Sequence, residues 1–156
     1  MHITIVAVGQ KLPAWAQTAV DDYLARFPRD FTVTVKEVKA EARTGGKPVA
    51  QVMAAEAERI ERAVPAGDIL VAMDEHGRDM TTVDFSKKIS GWKNEGCGVT
   101  FIIGGADGLD PALKAKSHMM LRLSSMTLPH AFARVLLTEQ IYRAWSILAN
   151  HPYHRV

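Results

Sequence analysis

The chain has a single cysteine, Cys97, so it can form no internal disulfide and no thiolate cluster for zinc. That suits a reducing compartment, and Cys97 reads as a packing residue. Long apolar runs are also missing. The longest, such as Ile3 to Val8 and Val99 to Ile103, fall far short of the roughly 20 residues that cross a bilayer, so no membrane segment is expected. The opening Met1-His2-Ile3-Thr4-Ile5 lacks the basic start and small-residue cleavage site of a secretion signal, and a cytoplasmic protein is expected. Repeats, low-complexity tracts and linker-like stretches are absent too. A length of 156 residues then suggests one core and a single domain over 1–156.

Strong charge of either sign is lacking, because the net charge is only +2. This permits contact with nucleic acid without arguing for it. The distribution says more. After Pro129 the chain carries Arg134, Arg143 and Arg155 with His130, His151 and His154 against one acid, Glu139. A second basic stretch runs through Lys36, Lys39, Arg43 and Lys47. Either could be a solvated face.

What is present is an alternation of strand and helix patterns. His2 to Val8, Phe31 to Lys36, Asp68 to Asp74, Gly98 to Ile103 and Met119 to Leu123 read as strands. Helices are expected from Pro13 to Phe27, over the stripe Val49, Val52, Met53, Ile60 and Val64, from Thr81 or Thr82 to Gly96, from Pro111 to Lys116, and from His130 to about Asn150. His76-Gly77-Arg78-Asp79 reads as a turn. Five of each implies a layered α/β fold, a mostly parallel sheet with helices on both faces.

In such folds ligands sit beyond the carboxyl ends of the strands, and two loops there stand out. Gly104-Gly105-x-x-Gly108 follows an apolar strand and could bring its backbone against a ligand. It is neither a triphosphate-cradling GxxxxGK[ST] loop nor the G-x-G-x-x-G dinucleotide fingerprint. Leu123 to Leu128 mixes apolar and hydroxyl side chains and could hold a planar base, though many connectors look alike. On the last helix Phe132, Leu136, Ala144, Trp145 and Leu148 make an apolar face, Arg134, Thr138 and Tyr142 lie on another stripe, and Glu139 can pair with Arg143. The ending Asn150-His151-Pro152-Tyr153-His154-Arg155 concentrates imidazole, aromatic rings and guanidinium, which suit stacking on an exposed base and contact with phosphate. His151 and His154 lack a third ligand at metal spacing, so no metal site is expected.

In this order, Gly104-Gly105-x-x-Gly108, Leu123-Ser124-x-Met126-Thr127-Leu128-Pro129-His130, Ile141-Tyr142-Arg143-Ala144 and Asn150-His151-Pro152-Tyr153-His154-Arg155 resemble the RlmH family. These are SPOUT-class methyltransferases of bacterial large-subunit (23S) ribosomal RNA, and the likeness runs from Val6-Ala7-Val8-Gly9 to the end of the chain. The resemblance implies a deep trefoil knot in the C-terminal part, a homodimer, S-adenosyl-L-methionine as methyl donor, and methylation of N3 of a pseudouridine in ribosomal RNA of the assembled ribosome. Membrane and DNA have no part in it. Carried onto this chain, the cofactor contacts fall on Met73, Gly104, Leu123, Ser124, Ser125, Met126, Thr127 and Leu128. Met73 stands where Leu is common, an exchange that an apolar contact tolerates.

His130, Arg143, Tyr153, His154 and Arg155 are the residues expected to handle the nucleotide. An imide nitrogen must lose its proton, and a neutral His130 or His154 could accept it, a choice the sequence leaves open. Arg143 and Arg155 could stabilise developing negative charge or grip phosphate, while Tyr142 or Tyr153 could stack on the base. The small net charge suggests that dimerisation joins two basic faces, with the partner's tail completing each site. The main rival reading is a non-catalytic RNA-binding ribosome assembly factor. A small-molecule enzyme using the glycine loop is another.

Overall fold

A computed structural model describes residues 1–9 and 11–155. Its strands β1 (His2–Val8), β2 (Thr32–Val38), β3 (Ile69–Arg78), β4 (Val99–Ile103) and β5 (Met119–Leu121) form one sheet in the order β2-β1-β4-β3-β5. Every pairing is parallel. The helices are α1 (Ala14–Leu24), α2 (Val49–Ala63), α3 (Thr82–Asn94), α4 (Pro111–Lys116) and α5 (His130–Leu148), with a short 3₁₀ turn at Thr44–Gly46. The expected five strands and five helices are all there.

The period-2 geometry of β1 sends alternate side chains to opposite faces. Ile3, Ile5 and Ala7 join Val71, Phe101, Phe85, Ile89, Leu137 and Ile141 in the core under α3 and α5, while Val6 and Val8 pack with Ala57, Ile60, Ile102 and Leu113 under α2 and α4. Each Val, Leu, Ile or Phe among them, fully buried, contributes about 1.5–3 kcal/mol, so a sheet covered on both faces dominates the stability. α1 joins the first layer through Leu12, Ala16 and Val20. Thr81 caps α3 by accepting from the Asp84 N–H at 3.1 Å. Cys97 packs against the first core cluster.

Two details differ from the sequence reading. β3 does not end at Asp74. Met73 and Arg78 both face Leu121, so residues 74–77 bulge out and the strand resumes. An Asx turn, with Asp74 Oδ1 accepting from the His76 N–H at 2.8 Å, shapes that excursion. The second difference is the orientation of α5. Arg134, Leu137, Thr138, Ile141, Tyr142 and Ala144 are buried, whereas Phe132 (48% exposed), Leu136 and Leu148 lie outward. The helix is apolar on much of its circumference, so periodicity could not say which stripe meets the sheet. The buried polar stripe fits because Thr138 bonds back to the Arg134 carbonyl at 2.8 Å and Arg134 finds partners of its own.

Candidate active site

A parallel sheet places the carboxyl ends of its strands along one edge. After β1 the chain moves to one side, toward β2, and after β4 it crosses to the other, toward β5, which opens a crevice between the ends of β1 and β4. Gly9, Gly104 and the first residue of α5, His130, meet there.

Gly104 needs its hydrogen. A Cβ would lie 2.5 Å from the Gly108 carbonyl carbon, because the loop folds back on itself with the Gly108 N–H donating to Gly105 at 3.0 Å. Arg43 pairs with Asp107 and the buried Glu56 carboxylate lies beneath Gly105, so the 3₁₀ turn and α2 brace this loop from the other layer. Glu56 also accepts from the Glu41 N–H at 3.0 Å.

The second loop starts from a clamp. Arg122 donates to both Asp79 oxygens, at 2.6 and 2.8 Å, which holds the Asp79 carboxyl below its ordinary pKa, and the Arg122 N–H donates to the Arg78 carbonyl at 3.1 Å. Gly77 passes so close that a Cβ would sit 2.6 Å from the Leu121 carbonyl carbon. Beyond the clamp, no peptide group from Leu123 to Leu128 pairs with another peptide among the described residues. The Met126 N–H instead reaches Ser124 Oγ at 2.9 Å. Leu123 packs on the core, Leu128 is half-buried, and Ser125, Met126 and Thr127 are exposed. Met73 lies beside them at the end of the regular part of β3, followed by Asp74, whose Oδ2 accepts from Lys114 at 3.0 Å.

His130 is held on three sides. Its Nε2 accepts from Arg134 Nε at 2.9 Å, the Gly104 carbonyl faces the ring, and Gly9 lies alongside, at a distance where a Cβ would be in ordinary contact, 3.7 Å, with Nε2. Burial and the Arg134 guanidinium push the imidazole pKa below its ordinary value against the opposing pull of the Gly104 carbonyl and Glu37. Its place in the first turn of α5 acts in the same direction. His130 is therefore neutral near pH 7.

The tail lies elsewhere. Asn150, at φ 52°, closes a Schellman cap in which the His151 N–H donates to the Ser146 carbonyl at 2.8 Å, turning the chain back along α5. The Tyr153 hydroxyl then donates to Glu139 Oε1 at 2.9 Å and bonds the Tyr23 hydroxyl at 2.9 Å. Arg143 also donates to Glu139 at 2.8 Å and stacks over the Tyr153 ring at 4.9 Å. Burial and these two bonds raise the Tyr153 pKa, so the phenol stays protonated. His154 Nδ1 rests 3.2 Å from Ser146 Oγ, and Arg155 is exposed.

The candidate residues thus form two groups within one chain. Met73, Gly104, Leu123 to Leu128 and His130 share the carboxyl edge, while Arg143, Tyr153, His154 and Arg155 sit at the far end of α5. Along α5 the rise from His130 is roughly 24 Å to Ser146, beside which His154 lies, and roughly 14 Å to Glu139, where the Tyr153 hydroxyl is held. Sequence reasoning missed Gly9, Glu37, Gly77 and the Asp79–Arg122 clamp. Arg134 it placed in the basic cluster and on a helix stripe without a partner, although its i+4 spacing from His130 was a usable signal.

The model of the family described as predicted SPOUT methyltransferase matches residues 1–154. The chain belongs to the SPOUT methyltransferase family. Two similar proteins are named ribosomal RNA large subunit methyltransferase H. The one from Bordetella avium is 55% identical over 155 residues, 99% of each chain, and the one from Ralstonia pickettii 53% identical over 156 residues, the whole of both. Among solved structures, a probable methylase family protein from Haemophilus influenzae aligns with a TM-score of 0.58 at 14% identity, covering 99% of this chain and 70% of that one. A probable methyltransferase from Bordetella pertussis gives 0.55 at 16% identity, covering 91% and 95%. At such identities the shared feature is the fold. This SPOUT methyltransferase therefore has its family's sheet, with the glycine loop and the Leu123 to Leu128 loop at one edge.

Proposed function

We propose that this SPOUT methyltransferase transfers a methyl group from S-adenosyl-L-methionine to N3 of a pseudouridine in large-subunit ribosomal RNA, acting in the cytoplasm as a homodimer on the assembled ribosome. The observation that carries the reading is identity above half over the full length of relatives named as large-subunit ribosomal RNA methyltransferases.

The carboxyl-edge loops fit the proposed cofactor. Peptide groups from Leu123 to Leu128, without backbone partners among the described residues, can bond the edge of an adenine, Leu123, Leu128 and Met73 offer apolar walls, and Gly104 allows close approach of backbone. The bound cofactor would supply an electrophilic sulfonium methyl. The protein's own task is then alignment, for which loops braced by Arg43–Asp107 and Arg122–Asp79 are suited. The knot implied by the RlmH resemblance would lie where the chain around Leu121 to His130 runs past residues 73–79. The lack of room for a Cβ at Gly77 agrees with so tight a crossing.

Two observations support a homodimer. Trp15, Phe132 and Leu136, the last two one turn apart on α5, are exposed apolar side chains, with the Trp15 and Phe132 rings 4.9 Å apart. The separation of tail from cofactor loops also requires a second copy if both groups serve one reaction, each tail reaching its partner's cradle. Within that arrangement the two histidines take different roles. The His130 Nε2 lone pair is occupied by Arg134. Ser146 Oγ already donates to the Arg143 carbonyl at 2.7 Å, so it accepts from His154 Nδ1–H and leaves the His154 Nε2 lone pair open. His154 is the proposed acceptor of the imide proton. Arg155, and Arg143 beside it, would meet the negative charge of the base or a phosphate.

Calorimetry with S-adenosyl-L-methionine tests the reading against a non-catalytic assembly factor. Micromolar binding that Ser124→Pro weakens without unfolding the protein is the expected result. A chain that binds ribosomes but not the cofactor is an assembly factor.

A further inference from the structure

Arg134 is 2% exposed yet carries a full charge, and its guanidinium reaches three elements. Nε donates to His130 Nε2 at 2.9 Å, Nη1 to Glu37 Oε1 on β2 at 3.1 Å, and Nη2 points toward Gly9 at the end of β1, with no hydrogen-bond partner among the described residues. Burying a guanidinium with one nitrogen unsatisfied is a poor way to stabilise a helix. An apolar side chain of similar volume usually does as well or better. The arrangement needs another reason.

That reason lies in the imidazole. A neutral histidine has one N–H, and in solution nothing fixes which nitrogen bears it. Arg134 Nε is always a donor, so its bond to Nε2 forces that nitrogen to be the acceptor and puts the proton on Nδ1. The Gly104 carbonyl faces the same ring, and with Nε2 already accepting from Arg134 only an Nδ1–H is left to serve it. A trans peptide is planar, so orienting the Gly104 carbonyl orients the whole Gly104–Gly105 peptide. The Gly104 backbone has no room to adjust by moving toward Gly108, as the 2.5 Å approach of a notional Cβ shows. Gly9, beside the pair, has φ 144°, a backbone conformation that favours glycine.

We infer that Arg134 is a positioning residue for cofactor binding, which holds His130 in its Nδ1–H tautomer and through it sets the Gly104 peptide at the floor of the cofactor loop. The inference rests on the reading of Gly104 as a cofactor contact. It assigns Arg134 no contact with substrate or cofactor.

The test combines nitrogen-15 NMR of the histidine rings with calorimetry and thermal melting. Wild-type His130 should show a protonated Nδ1 and a bare Nε2. In Arg134→Met the ring should pass to mixed or Nε2–H tautomers, and S-adenosyl-L-methionine should bind about tenfold more weakly, the worth of one hydrogen bond, while the melting temperature holds or rises. Asparagine places its amide N–H where Nδ1–H was and has no tautomers. His130→Asn should therefore bind the cofactor near wild-type strength, and adding Arg134→Met to it should cost nothing more, whereas His130→Ala should bind weakly. An Nε2–H tautomer in the wild type overturns the inference. So does full affinity in Arg134→Met, or an equal loss from Arg134→Met with and without His130→Asn. A wild-type protein that shows the Nδ1–H tautomer but binds no cofactor refutes the cofactor reading instead.

Discussion

Replacing Gly77 with alanine should damage both stability and cofactor binding, although Gly77 is not among the residues that the family resemblance assigns to the cofactor. The added methyl would lie 2.6 and 2.7 Å from the carbonyl carbon and the nitrogen of Leu121 and 2.9 Å from the Arg122 nitrogen. All three are backbone atoms, held by the Arg122 N–H bond to Arg78 and by the Asp79–Arg122 clamp, so no side chain can rotate away. Overpacking of this kind costs about 1–3 kcal/mol, or a fall of roughly 2–10 °C in melting temperature for a chain of this size. The displaced backbone leads directly into Leu123, so S-adenosyl-L-methionine should also bind several-fold more weakly. Gly91→Ala is the internal control. It lies within α3 with nothing within 4 Å of a Cβ, and should stabilise the protein by about 0.5–1 kcal/mol with no change in affinity. Differential scanning calorimetry and titration calorimetry on the two variants decide the matter. Equal melting temperatures and affinities for Gly77→Ala and wild type would refute the packing argument.

Further consequences follow for other parts of the molecule. Tyr153→Phe removes the hydroxyl shared by Glu139 and Tyr23 and should cost about 1–2 kcal/mol, read by urea unfolding, and should loosen the tail to trypsin at Arg155. Phe132→Asp with Leu136→Asp should give a folded monomer by sedimentation that still binds cofactor but does not methylate. A lowered His130 pKa means that the unfolded chain takes up this proton first as pH falls. The associated stability is present above about pH 6.5 and declines as pH drops through the folded pKa, so between pH 7 and 5 the wild type should lose more melting temperature than His130→Asn. His154→Ala should leave cofactor affinity and melting temperature nearly unchanged and reduce methyl transfer at least tenfold in single-turnover assays.

Much of the framework was legible because the signals are local. The β-branched runs Ile3 to Val8 and Val99 to Ile103 could only be strands buried on both faces, and Pro13, Thr81 and Pro111 mark helix starts by their own chemistry. The glycine loop and the Leu123 to Leu128 loop were found because strand-to-helix junctions at one sheet edge are where backbone is free. The orientation of α5 was not legible, since a helix with Leu137 and Ile141 on one side and Phe132 and Leu136 on another offers two apolar stripes. The contact of Gly77 with Leu121 and the reach of Arg134 to Glu37 join residues 44 and 97 positions apart, and no periodicity reports such pairs. The division of the candidate residues between opposite ends of α5 needed coordinates.

The central claim is that this chain moves a methyl group from S-adenosyl-L-methionine to ribosomal RNA. Ribosomes from cells that lack the modification, incubated with the protein and methyl-labelled cofactor, should gain one label per large subunit, and nuclease digestion with mass spectrometry should place it on N3 of a pseudouridine. Ribosomes that stay unlabelled while binding the protein, or label found on another base or on a ribosomal protein, would contradict the account.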